Sequence, residues 1–256
     1  MLYIRSSEVH STRIHKRFTV NHYLRRKQIE NMMLPNGEIN ISSMSSSDLR
    51  NLIQTGEGTY LEFKKTTPSP EKIAREIAAF ANTGGGTILI GVDDYKNVTG
   101  ISGYFEEEFL LHKAAYDHCV PSVPIEIELV HYGQCDVMVV RVPEAENKPV
   151  YNKGKKKRLV FVREADESIL ASDELAQVLK FKHSKNGVTF EYGKNEQMLF
   201  RFLNEYGEIT VSKYSQVANI TSYRASKILV NLVSAGILNL FRRSDTDYYT
   251  FANVTK

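Results

Sequence analysis

Apolar positions along the chain recur with two different periods, and the changes of period divide it into blocks. Ile73, Ile77, Phe80 and Ala81 fall on one helical face. The start of that helix at Ser69-Pro70-Glu71 carries a capping serine, a proline at the first helical position and an acid near the positive end. Gly84-Gly85-Gly86 stops it, and residues 87–92 read as a buried strand. Upstream, residues 48–54 predict a short helix. Tyr60-Leu61-Glu62-Phe63-Lys64-Lys65 then alternates as a strand with Leu61 and Phe63 on one face. Downstream, the pattern predicts a helix over 106–118 and a hairpin of 125–130 with 136–142 around Gly133. A strand over 159–163 and a closing helix over 172–181 follow. Strands joined both by hairpins and by helices predict a mixed-sheet α+β domain over residues 46–182.

Past a linker at 183–194 the pattern turns to three helices followed by a hairpin. Residues 195–206 place Met198, Leu199, Phe202 and Leu203 on one side, residues 212–218 form a short helix, and Thr221 caps a third helix buried through Ile228, Leu229 and Leu232. Gly236 ends it, and β-rich runs at 237–241 and 248–252 flank Arg242-Arg243-Ser244-Asp245. Three helices and then a hairpin is the order of a winged helix-turn-helix, expected over 195–256. Residues 1–45 show weak periodicity, a basic run at Arg25-Arg26-Lys27 and a turn signal at Leu34-Pro35-Asn36-Gly37. They read as a basic arm on a serine-rich joint.

The composition of the 256 residues, 25% charged and 42% apolar, is that of a globular protein. The longest uncharged run, 77–92, is too short and too polar to cross a bilayer. The first ten residues hold Arg5, Glu8 and His10 in place of an apolar signal core, and two cysteines build no disulfide scaffold. A soluble cytoplasmic protein, away from the membrane, is expected. The net charge of +3 is unevenly spread: residues 1–45 carry +4, 46–180 carry −5 and 181–256 carry +4. Basic ends around an acidic middle predict an anionic partner for the ends.

The third helix of a helix-turn-helix lies in the major groove, with its N-terminal residues toward the bases. Here the exposed positions are Ser222, Tyr223, Arg224, Ser226 and Lys227. Arg224 suits a guanine edge or a phosphate, and Arg242 and Arg243 sit where a wing meets the backbone or minor groove. The run Lys153-Gly154-Lys155-Lys156-Lys157-Arg158 puts five cations at a hairpin tip. Lys155, Lys156, Lys157 and Arg158 would grip phosphates without sequence preference, or only keep an edge strand soluble.

Residues 57–64, the run Ala79-Phe80-Ala81-Asn82-Thr83-Gly84-Gly85-Gly86 and Ile90-Gly91-Val92-Asp93-Asp94 together resemble the Schlafen AlbA-type domain. Lys148-Pro149-Val150-Tyr151 and Phe161-Val162-Arg163 are similar to that family's later strands. The resemblance covers about residues 47–180. It implies nucleic-acid binding, as in bacterial transcriptional regulators that carry a C-terminal winged helix. It also implies an alternative, a ribonuclease with three carboxylates, whose glutamates would fall on Glu57 and Glu62 and whose third acid would be Asp93 or Asp94.

Local chemistry leaves that alternative open. On a strand Glu62 and Lys64 share a face. A carboxylate holding Mg²⁺ or Mn²⁺ beside a lysine is a phosphodiesterase arrangement, provided that Glu57 and Asp93 converge on Glu62. The competing possibility is a Glu62–Lys64 ion pair with Asp93-Asp94 as a plain turn. The glycine run leaves a helix C-terminus, where carbonyls repel phosphate, and lacks a Gly-Lys-Ser/Thr ending. It argues against ATP and reads as a cap that permits close packing. His118, Cys119 and Cys135 offer three ligands without paired cysteine spacing, which argues against zinc. The expectation is a homodimeric DNA-binding transcriptional regulator. The alternatives are a metal-dependent nuclease acting on RNA or DNA and a protein-interaction module.

Overall fold

The computed structural model describes residues 44–154, 157–182 and 192–252. Most of the basic arm, the linker residues 183–191 and Lys155 and Lys156 of the hairpin tip lie outside the described residues. Ten strands and seven helices follow one another within that range, the first being helix α1, Ser46–Thr55. Ser45 and Asp48 form a reciprocal capping box at its start.

Strand β1 (Leu61–Lys64), helix α2 (Pro70–Thr83) and strand β2 (Gly86–Ile90) make a parallel β-α-β unit, in which Leu61 pairs with Thr87 and Lys64 with Ile90. Helix α3 (Tyr104–Lys113) runs into a π-helical turn, Ala114–His118, where the sequence predicts one continuous helix. After β3 (Cys119–Val120) come the hairpin strands β4 (Glu126–Tyr132) and β5 (Cys135–Val142), and β5 lies antiparallel to β2. The first sheet thus has the order β1-β2-β5-β4, a mixed sheet as the alternation predicts. A second sheet, β3-β6-β7-β8, adds β6 (Tyr151–Lys153), β7 (Arg158–Glu164) and β8 (Glu167–Leu170).

The first sheet is covered on both faces, and its period of two shows this directly. Ile88 and Ile90 of β2 enter a core with Ile73, Ile77 and Phe80 of α2, while Leu89 between them enters a second core with Leu49, Ile53, Leu61 and Phe63. Helix α2 joins the two sheets through Asn82. Its side-chain amide donates to the carbonyls of Val150 and Phe161, both at 2.8 Å, and its oxygen accepts the Val150 N–H at 2.7 Å. Thr83 adds its hydroxyl, which accepts the Arg163 N–H at 2.9 Å. The Asn82-Thr83 pair is therefore a fastener between layers.

Helix α4 (Asp173–Lys182) departs from expectation. The pattern reads it as the helix that closes the middle block, yet Val178 is 4% exposed within the core of the C-terminal module, with Phe181 packed beside it. Helices α5 (Lys194–Tyr206), α6 (Val211–Ala218) and α7 (Ser222–Ser234) build that core with the antiparallel strands β9 (Leu238–Arg243) and β10 (Thr246–Phe251). Thr221 caps α7, its hydroxyl accepting the Arg224 N–H, as its position predicts. Ser244 and Asp245 both have positive φ, at 47° and 62°, and form the two-residue turn between β9 and β10.

Candidate functional site

The candidate acids Glu57 and Glu62 are both found at the edge of the first sheet, but in unlike roles. Glu57 precedes the strand and its Oε1 accepts the Phe63 N–H at 2.8 Å. It satisfies an amide that an edge strand leaves without a ladder partner. Burial raises the Glu57 pKa, the Phe63 N–H opposes the rise, and Glu62 and Asp94 add to it while Lys64 subtracts.

Glu62 is 7% exposed. The second sheet covers it and delivers Arg163 from β7, whose Nη1 donates to Glu62 Oε2 at 2.8 Å. The same guanidinium donates to Glu76 Oε2 at 3.2 Å, to Ser168 Oγ at 3.1 Å and to the Gly58 carbonyl at 2.8 Å, and it lies 4.6 Å from the Phe80 ring centroid. Lys64 pairs with the other oxygen of Glu62, and Ser168 donates to Glu76. The Glu62–Lys64 pair thus exists as the outer part of a five-residue network of two acids, two cations and a serine, in which Glu62 and Arg163 are buried and the other three half-buried.

Asp93 does not join it. Its carboxylate accepts the N–H groups of Tyr95 and Asn97, at 3.0 and 2.8 Å, and the Asn97 side-chain amide at 3.1 Å. Those bonds, led by Asn97, lower its pKa, and Lys65 is its charged neighbour. Asp93 is held in a plain turn, and of the two adjacent aspartates it is Asp94 whose charge, with that of Glu62, adds to the rise of the Glu57 pKa. Among the described residues no three His, Cys, Asp or Glu side chains come together as a metal-holding group. Cys119 is buried, donates to the Ala74 carbonyl and has its thiol pushed up to about 12 by desolvation, and Cys135 donates to the Tyr132 carbonyl.

The Glu57 shift fixes a sign. A carboxyl whose folded pKa is raised favours folding most below its unfolded pKa and loses that contribution as pH rises through the folded pKa. Glu57→Gln keeps an oxygen for the Phe63 N–H and carries no charge. It is expected to be more stable than the parent at about pH 7 and to lose that advantage at about pH 4, where Glu57 is itself neutral. Urea unfolding at both values reads this, and a less stable variant at neutral pH overturns it.

The C-terminal surface sorts the expected nucleic-acid contacts into two groups. At the start of α7, Ser222, Tyr223, Arg224 and Lys227 are exposed, Tyr223 by 79%. Among the described residues no ion pair engages Arg224 or Lys227. Ser226 is turned inward and donates to Glu174 Oε1 of α4 at 2.8 Å. The hairpin arginines are committed within the chain. Arg243 meets Glu208 with two hydrogen bonds, at 3.2 and 3.0 Å, and lies over the rings of Tyr248 and Phe241. Arg242 reaches Asp245 at 3.4 Å and Asp247 at 3.8 Å and donates to the Leu170 carbonyl at 3.5 Å. On the other module Lys157 and Arg158 are exposed beside β6 and β7, where Lys153 pairs with Arg158.

Arg163, Glu76, Ser168 and Glu174 are the residues that sequence reasoning passed over as site residues. A signal existed for one of them: an arginine following Leu159-Val160-Phe161-Val162 stands in an apolar run, where a buried charge needs a partner. The acids that answer it are 101 and 87 residues away in sequence, and no local pattern points to them.

Residues 57–172 match the family model of Schlafen, AlbA_2. No curated protein matches the chain. Among solved structures, the N-terminal domain of an ATP-dependent DNA helicase RecG-related protein from Nitrosomonas europaea is 25% identical. The match covers 51% of this chain and 92% of that one, at a TM-score of 0.39. The DIP2311 protein of Corynebacterium diphtheriae is 15% identical, over 73% of this chain and 36% of that one, at a TM-score of 0.41. The glutamates at the edge of the first sheet, the Asn82-Thr83 fastener and the Arg163 strand all lie within residues 57–172, where the chain carries a Schlafen AlbA-type domain.

Proposed function

We propose that this chain is a nucleic-acid-binding protein, a transcriptional regulator, whose C-terminal module is a winged helix that reads duplex DNA with α7. The observation that carries the reading is the first two turns of that helix. They present Ser222, Tyr223, Arg224 and Lys227 to solvent with both cations free of ion pairs among the described residues, while neighbouring arginines are neutralised. Free cations at the start of a third helix suit phosphate and base-edge contact, and Tyr223 and Ser222 add backbone contacts. The AlbA_2 domain and the cations Lys157 and Arg158 support a second grip on the backbone. One such helix covers few base pairs, so a homodimer on a two-fold site follows. Among the described residues no helix is long and apolar enough to cross a membrane. The nuclease alternative requires Glu62 to release both Arg163 and Lys64 before it holds a divalent ion, and the buried network opposes that.

The test is fluorescence anisotropy of a labelled duplex at several salt concentrations. Arg224→Ala with Lys227→Ala is expected to weaken binding on the order of 10- to 100-fold and to lower the salt slope by about two, near 0.9 per phosphate contact. The same affinity and slope in variant and parent would remove α7 from the interface.

A further inference from the structure

The reading helix is gripped from behind by a segment the sequence assigns to the other domain. Residues 170–174 connect edge strand β8 to α4, and three of them, Leu170, Ser172 and Glu174, make polar contacts with α7 or the hairpin, while the Ala171 N–H donates to the Val160 carbonyl of β7 at 2.9 Å. The Leu170 carbonyl accepts from Arg242 of β9, and Ser172 donates to Asp247 of β10 while capping α4 by accepting the Leu175 N–H at 3.0 Å. Glu174 accepts the Ser226 hydroxyl at 2.8 Å, within the second turn of α7. One turn further along α4, Val178 enters the C-terminal core. On the other side β8 is itself held, since Arg163 donates to Ser168.

Ser226 stands between Arg224 and Lys227 in sequence but points to the opposite side of the helix, into α4. A bond there fixes the rotation of α7 about its own axis and hence the direction in which the exposed residues face. Apolar packing fixes rotation less sharply, because it has no preferred direction, whereas a hydrogen bond weakens steeply off its axis. We infer that Glu174 is a positioning residue for the nucleic-acid-reading helix, acting through Ser226, and that residues 170–174 tie this helix and the hairpin to the edge strand of the second sheet. This rests on the nucleic-acid reading of α7.

Four full-length variants test it: Glu174→Ala, Ser226→Ala, the double variant and Glu174→Gln. Each alanine variant is expected to weaken duplex binding about fivefold, the worth of one side-chain hydrogen bond. The double variant is expected to be no weaker than either single one, since both remove the same bond. Glu174→Gln restores affinity, because its amide oxygen still accepts from Ser226. The salt slope stays at the parent value in all four, since no phosphate contact is lost. A lowered slope, or losses that add in the double variant, would overturn the role.

Hydrogen exchange without DNA separates the positioning role of Glu174 from nucleic-acid binding by α7. The amides in the first two turns of α7 exchange faster in Glu174→Ala if the bond holds the helix, and unchanged exchange overturns the positioning role alone. A parent chain that binds no duplex overturns the nucleic-acid reading and the positioning role with it.

Discussion

Arg163→Ala is expected to cost about 3–5 kcal/mol of stability in the AlbA_2 domain, the range for breaking a buried charge network from one side. The Arg163 side chain is fully buried and answers Glu62, Glu76, Ser168 and the Gly58 carbonyl at once, with Phe80 beneath its plane. Its loss leaves Glu62, itself 7% exposed, with Lys64 alone, and leaves Glu76 with Ser168. Arg163→Lys does not repair this, because an ammonium cannot span four acceptors that a planar fork reaches together. Urea unfolding followed by circular dichroism measures the change, read on the transition that belongs to this domain, since two modules need not unfold as one. A loss under about 1 kcal/mol would mean that the network is an ordinary surface ion pair.

The second large effect is expected at Gly85. Its φ is +72°, a region in which a side chain costs about 1–2 kcal/mol. A Cβ there would also stand 2.8 Å from the Val142 carbonyl oxygen and 3.0 Å from the Glu144 nitrogen, both backbone atoms at the end of a sheet strand. Those atoms cannot move without disturbing the β2–β5 pairing, so overpacking adds about 1–3 kcal/mol. Gly85→Ala should therefore lose about 2–5 kcal/mol, and Gly86→Ala should also be destabilised, since its Cβ would meet the buried Phe80 ring at 2.2 Å. Gly133→Ala is the control: φ is +65° there too, but nothing lies within 4 Å, so only the backbone cost applies. Equal losses at Gly85 and Gly133 would show that close approach contributes nothing.

These two expectations mark where sequence reasoning reached and where it stopped. The glycine run is legible because its context is local: it follows a helix and precedes a strand, so capping and close packing follow from position. The Gly84 and Gly85 amides do turn back to the Phe80 carbonyl, at 3.2 and 2.9 Å. The acidic site was half legible. Alternation on β1 puts Glu62 beside Lys64, as found, but gives no warning that the second sheet covers that face and brings Arg163 onto it. Asp93 illustrates the limit more plainly. Two adjacent aspartates after a strand look alike in sequence, and only the path of the turn through Tyr95 and Asn97 decides that Asp93 is spent on backbone amides while Asp94 is coupled to Glu57.

The C-terminal module shows the same division. Helix starts, the cap at Thr221 and the two-residue turn between β9 and β10 are short-range chemistry, written in a few consecutive residues. So are the burial stripes of α2 and α7, because period and polarity suffice to choose a face. Which partner a face meets is not written there. Helix α4 carries an amphipathic stripe that serves either module equally well, and packing assigned it to the second. Ser226 finds Glu174 across 52 residues and Glu62 finds Arg163 across 101, distances over which a single chain holds no register. The sequence by itself thus determined the helices and the longer strands, their order and the exposed cations at the start of α7, but not the short strands β3, β6 and β8, which take their place only by pairing with distant segments. Tertiary structure alone decided that Glu62 is buried and paired, that Arg242 and Arg243 are neutralised and that α7 is held from behind. The physical reason is that burial and ion pairing depend on which distant segments are brought together.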